Sequence, residues 1–141
     1  MSDEKPRVVQ PDGWPAPVGY ANGVAARGRL VFVAGQVGWD PATTTFASDD
    51  FVAQARQALA NVTAVLRAAG ATPGHLVRLT WYVTDRAEYL AARRALGAAY
   101  RDVLGAHYPP MSLLVVNALL EERAKVEIEA TAVVPDEDRR A

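Results

Sequence analysis

The chain has 141 residues, half of them apolar and 22% charged, which is the composition of one globular domain and not of a disordered segment. Its 15 basic and 16 acidic residues leave a formal charge of −1, without the basic balance of a protein that grips nucleic acid through phosphates, so nucleic acid is not an expected partner. With no cysteine, disulfides, thiolate nucleophiles and thiolate metal sites are excluded together, and a cytoplasmic location is expected.

Residues 1 to 16 are polar, carry Pro6, Pro11, Gly13 and Pro15, and read as an irregular arm. The opening Met1 to Pro6 has acids and no apolar core, so a secretory signal is not expected. No apolar run approaches the ~20 residues needed to span a bilayer, and no membrane partner is expected. Tyr20 to Ala26 and Leu30 to Val37 read as two strands around Arg27-Gly28-Arg29, with β-branched residues prominent in the second. Gly38 to Ser48, with Pro41 and three threonines, reads as a loop.

A helix is expected from Asp49-Asp50, which can cap it and complement its dipole. Phe51, Ala55, Leu59, Val62 and Leu66 form its apolar stripe, and Gly70 stops it. Leu76 to Thr84 alternates as a strand, with Val77, Leu79, Trp81 and Val83 on one side and Arg78, Thr80 and Tyr82 on the other. Asp85 and Glu88 resemble a capping box for a second helix, whose stripe is Tyr89, Ala92, Leu96, Ala99 and Val103 and whose stop is Gly105. Ser112 to Val116 reads as a strand, Glu121 to Arg123 as a turn, and Ala124 to Val134 as a long last strand. Residues 136 to 141 read as a solvated tail, leaving a single domain over 17 to 135.

The order β-β-α-β-α-β-β implies an α+β domain: one mixed sheet with two helices on one face. In the last strand Val126, Ile128, Ala130 and Ala132 point one way and Glu127, Glu129, Thr131 and Val133 the other. A face that mixes apolar residues with Arg78, Tyr82, Glu127 and Glu129 suits a subunit interface enclosing a polar cleft, because buried charges need partners.

Six segments in one order carry a resemblance to a known family: Val33-Ala34-Gly35-Gln36-Val37, Gln54 to Val62, Ala68 to Ala71, Tyr82-Val83-Thr84-Asp85, Tyr108-Pro109-Pro110-Met111-Ser112, and Val126 to Ala132. Over residues 17 to 134 the chain resembles the Rid family. The resemblance implies a chorismate-mutase-like subunit, a homotrimer with small-molecule clefts between subunits, and hydrolysis of reactive enamines or imines to keto acids and ammonia, without a cofactor.

Such hydrolysis needs a held substrate, a positioned water and a proton route to the leaving nitrogen, and a carboxylate suits the last two if burial raises its pKa. By the resemblance, Glu127 is that carboxylate and the expected catalytic residue. Read without the resemblance it is a strand glutamate facing a lysine. Glu129, two residues on, is expected as a salt-bridge partner. The resemblance also makes Tyr20, Gly35, Gln36, Met111 and Ser112 candidates for substrate binding. Tyr20 could equally anchor the first strand, Gln36 could be structural, and Trp39 could lid the cleft or cover the core edge. At Met111 the chain departs from the family, whose deaminating branch carries an arginine there to grip a substrate carboxylate. Methionine cannot do so, and the cleft is expected to favour a neutral or more apolar ligand. Arg78, Arg93 or Arg94 could supply the missing charge, although surface arginines are more often simply solvated. A trimer that binds a metabolite without turning it over is the alternative, and an RNA-cleaving role fits the charge less well. His75 and His107 have no ligand spacing and no nucleotide-binding loop is present, so neither metal nor cofactor is expected.

Overall fold

The computed structural model describes residues 6–136. Four strands make the main sheet, in the order β3 (Arg29–Val37), β8 (Val126–Val134), β6 (Leu76–Val83), β7 (Met111–Val115). The β3–β8 and β8–β6 ladders are antiparallel and β6–β7 is parallel, so the sheet is mixed as expected. Helix α1 (Phe51–Ala68) packs on β3 and β8 and against α3 (Arg93–Leu104), so both long helices cover one face. The core lies between, where Val126, Ile128 and Ala132 of β8 are fully buried against Leu59, Val62 and Leu66 of α1.

The local signals of α1 act as the sequence implies. Asp50 accepts a hydrogen bond from the Ala53 N–H at 2.9 Å, filling one of the unpaired donors of the first turn. At the other end Gly70, at φ 77°, closes the helix: its N–H donates to Arg67 O and the Ala71 N–H to Leu66 O, a paired arrangement that needs a left-handed residue.

Several expectations are corrected. Arg7–Val9, inside the expected irregular arm, is a strand (β1) paired with β2 (Gly23–Ala25), and β2 does not join the main sheet. At Gly28, with φ 148°, a Cβ would strike the Val134 carbonyl, so the chain passes close over the end of β8 between β2 and β3. The loop after β3 contains a short ribbon, β4 (Trp39–Asp40) with β5 (Thr45–Phe46). In β6 a register shift between Leu76 and Arg78 puts Leu76, not Val77, in the core. The second helix is broken at Ala92 into α2 (Arg86–Ala91) and α3. Nothing in α2 is buried, whereas α3 buries Leu96, Ala99, Tyr100 and Leu104, so the two segments follow different surfaces. Only the Asp85 half of the capping box forms; the Glu88 carboxylate instead pairs with Lys125 at 3.1 Å. Most of the expected tail lies outside the described residues. No helix among those residues is long and apolar enough to cross a membrane.

Candidate functional site

Strand alternation sends Glu127, Glu129 and Thr131 of β8 to the sheet face opposite the helices, beside Arg78, Thr80 and Tyr82 of β6 and Ser112 of β7. Tyr82 donates a 2.8 Å hydrogen bond to Glu129, and this bond, more than burial, holds the phenol above its ordinary pKa. Glu129 thus partners a tyrosine where a salt bridge was expected. Arg78 reaches Ser112 Oγ at 3.5 Å. A shallow pocket of about 240 Å³ lies here between Phe32, Arg78, Thr80 and Glu129.

Glu127 stands at the end of this face against an irregularity in β3. The β3–β8 register shifts between Val33 and Gln36, and Gly35 lies within the shift. The Glu127 carboxylate occupies the space that a Cβ on residue 35 would need. The Gln36 side chain donates to Ala34 O at 3.1 Å, across the same bend. Two buried amides of α1 hold the surroundings. Asn61 donates to Val37 O and Trp39 O at 3.1 and 3.0 Å, fastening the end of β3. Gln54 donates to Ser48 O and Arg123 O, at 3.1 and 3.0 Å, and accepts from the Lys125 N–H at 2.8 Å, fastening the start of β8. Gly38 lets α1 come this close, since a Cβ there would strike the Gln54 backbone.

Met111 and Tyr20 lie elsewhere. Met111 pairs in register with Leu79, on the helix-covered face, while Ser112 pairs with Thr80 on the open one. A cleft of about 870 Å³ opens beside Met111 between β6, β7, α2 and α3, and is walled by Tyr20, Trp81, Tyr89, Tyr100, Tyr108 and Leu113. Tyr100 stacks on Tyr108 with ring centroids 5.1 Å apart and donates to His107 O at 2.6 Å; burial pushes its phenol far above the ordinary value. Arg93, Gly97 and Arg101 of α3 complete the wall.

The sequence-predicted residues therefore fall into two groups. Glu127, Gly35 and Gln36 come together, Ser112 shares their face of the sheet beside Arg78, and Tyr20 and Met111 share a cleft on the other face. Of the arginines considered for the missing charge, Arg93 lines the Met111 cleft, Arg78 does not, and Arg94 lines none of the clefts described. Arg101, which the sequence reading did not single out, lines the same cleft; Arg93, Gly97 and Arg101 follow one another at intervals of four, the spacing of a single helical face of α3. Trp39 packs its ring on Phe46, 6.1 Å between centroids, and covers a ribbon instead of lidding a cleft. Among the described residues no group of three His, Asp or Glu side chains could hold a metal.

The mixed four-stranded sheet, helices on one face and a strand glutamate over a glycine in the bent neighbouring strand define an α+β protein of the YjgF type. The model of the family described as Endoribonuclease L-PSP matches residues 14–134. Protein DfrA of Myxococcus xanthus is 35% identical over 94% of this chain and 92% of its own. The 2-iminobutanoate/2-iminopropanoate deaminase of Salmonella typhimurium is 36% identical over 90% of this chain and 97% of its own. The crystal structure of YyfB from Yersinia pestis, described as a protein of unknown function in the conserved Rid family, superposes with a TM-score of 0.79 at 37% identity, covering 92% of this chain and 99% of that one. The chain belongs to the Rid family.

Proposed function

We propose that the protein is a cofactor-independent hydrolase of imines or enamines, with Glu127 as the general acid and base, working in clefts formed where two copies of the chain meet. The observation that carries this reading is the Glu127 carboxylate seated over Gly35, at an open sheet face and without an ion-pair partner among the described residues. Water adds to the C=N carbon as Glu127 takes a proton from it. Glu127 passes that proton to the nitrogen, and the resulting carbinolamine collapses to the carbonyl as its hydroxyl proton moves, again through Glu127, to the nitrogen, which leaves as ammonia. A carboxylate can serve both transfers in turn, and no metal or redox partner is needed for the balance. The similarity to a deaminase of 2-imino acids supports the same class of reaction.

The split of the candidate residues supports a composite site. In one chain Glu127 and Met111 belong to opposite faces of the sheet, and the family resemblance implies clefts between subunits. The open face also carries Leu30, Phe32 and Leu114 exposed, Phe32 at 72%, which suits a surface covered by another copy. The direct test is Glu127→Gln, assayed with imines generated in situ from amino-acid oxidation while keto-acid release is followed. Turnover above the uncatalysed rate, abolished in the variant without loss of assembly, is the expected result. A variant as active as wild type would end the reading, and wild type that binds ligand without turnover would favour the non-catalytic alternative.

A further inference from the structure

The replacement of the family arginine by Met111 leaves a question of how a charged ligand could be held, and the cleft beside Met111 bears on it. Arg93 and Arg101 both line it, eight residues apart on one face of α3, about 12 Å along the axis. Gly97 lies midway between them. Arg101 leans back over that glycine, its Nη1 3.5 Å from where a Cβ would stand, so its guanidinium is directed toward Arg93. No aspartate or glutamate lines the cleft. Among the described residues neither arginine is in an ion pair; Asp102, on the same helix, is engaged by Arg56 at 3.0 Å. Both side chains are exposed and can turn toward an acid that enters the cleft.

The rest of the cleft is aromatic or apolar. Trp81 lines the cleft and is 5% exposed, and its indole Nε1–H is buried with no acceptor among the described residues. Met111 and Leu113 lie along one side.

We propose that Arg93 and Arg101 form an anion anchor on α3, so that this cleft takes an organic acid whose carboxylate sits at the guanidinium groups and whose apolar body packs against Met111 and Trp81. Met111 then sets the preference for the body of the ligand, and the acid group is read from the helix and not from β7. On this proposal the ligand is an acid and not the neutral one expected from Met111, and the proposal rests on the reading of the cleft as the substrate-binding half of the hydrolase site.

The test uses stable acids with the full-length protein. Phenylacetate, acetate and inorganic phosphate are titrated calorimetrically, with phenylacetamide as the neutral match, against wild type and the Arg93→Gln, Arg101→Gln and Glu127→Gln variants. Phenylacetate should bind best, phenylacetamide about tenfold or more weaker, and each arginine variant should lose about tenfold for the acid alone. The Trp81 indole N–H resonance, assigned by its absence in Trp81→Phe, should move on addition of phenylacetate. Binding that survives in Glu127→Gln while turnover is lost would separate the anchor from the chemistry. If wild type turns over no imine yet binds acids through the arginines, the anchor stands and the hydrolase reading falls. Equal affinity for acid and amide, no saturable binding of any of the three anions, or arginine variants that keep acid binding and instead dissociate the assembly would overturn the anchor.

Discussion

At the scale of single residues, the contact between Gly35 and Glu127 makes a sharp demand. A methyl group at 35 falls on the carboxylate itself, which is the free end of a flexible side chain and can swing away. Gly35→Ala should therefore fold with a melting temperature within a few degrees of wild type, while losing most imine turnover, because a displaced acid–base group no longer meets its water. Equal kcat in the two proteins would show that the seat over Gly35 is unimportant to the chemistry. His75 gives a pH-dependent expectation. Burial, and then the neighbouring His107, hold its pKa below the usual value, and its Nδ1 accepts the Thr72 N–H at 3.1 Å, which only the unprotonated nitrogen can do. The folded state thus takes up this proton less readily than the unfolded chain. The stabilising contribution is present above the ordinary histidine pKa of about 6.5 and is lost as pH falls through that value toward the lowered one. Urea midpoints should drop between pH 7.5 and 5.5, and His75→Gln should flatten that part of the profile; an unchanged slope would remove His75 from the account.

At the scale of elements, the buried amides of α1 decide where the ends of β3 and β8 lie. Gln54, 1% exposed, closes three hydrogen bonds to backbone groups of two separate segments, and the Arg123 side chain adds a 2.8 Å contact to Asp49 just ahead of the helix. Gln54→Leu removes all three amide bonds and strands the Lys125 N–H, so a loss of about 2–4 kcal/mol is expected in denaturant unfolding, with a matching loss of order at the start of β8. A variant as stable as wild type would mean that water satisfies these groups as well as the amide does. The helices and the four sheet strands were legible because their periods, caps and stops are local: Asp50, Gly70 and the alternation around Ile128 each act within a few residues. What was not legible depends on contacts distant in the chain. Gly28 reads as a hairpin turn until the Val134 carbonyl is found against it, and β1 reads as a loop because its partner β2 is 16 residues away. The same limit hid the site. Period two separates Met111 from Ser112, but only the β6–β7 register says which of them faces the helices. Arg93 and Arg101 look like a solvated helix face because nothing local records that a cleft runs beside it.

At the scale of the whole molecule, the two groups of site residues make a prediction that no single-chain site could satisfy. If Glu127 of one copy works on a ligand held in the Met111 cleft of another, then two proteins crippled in different halves can repair each other. Glu127→Gln removes the acid–base group, while Gly97→Trp puts an indole into the cleft without touching the open face. Each alone should be inactive. Co-expressed in equal amounts, they assemble at random, and a site is whole only where an intact glutamate meets an intact cleft, which happens in about a quarter of interfaces for a symmetric ring of head-to-tail contacts. About that fraction of wild-type activity should return. The return should also depend on the apolar open face, so that Phe32→Asp in both partners, which places a charge where an exposed phenylalanine stands, should shift sedimentation toward the mass of one chain and abolish the rescue. Rescue that persists in a monomeric mixture is impossible on this scheme. Activity that never rises above that of the separate variants, in a mixture shown to be assembled, would place the whole site within one chain and leave the open face of the sheet to some other purpose.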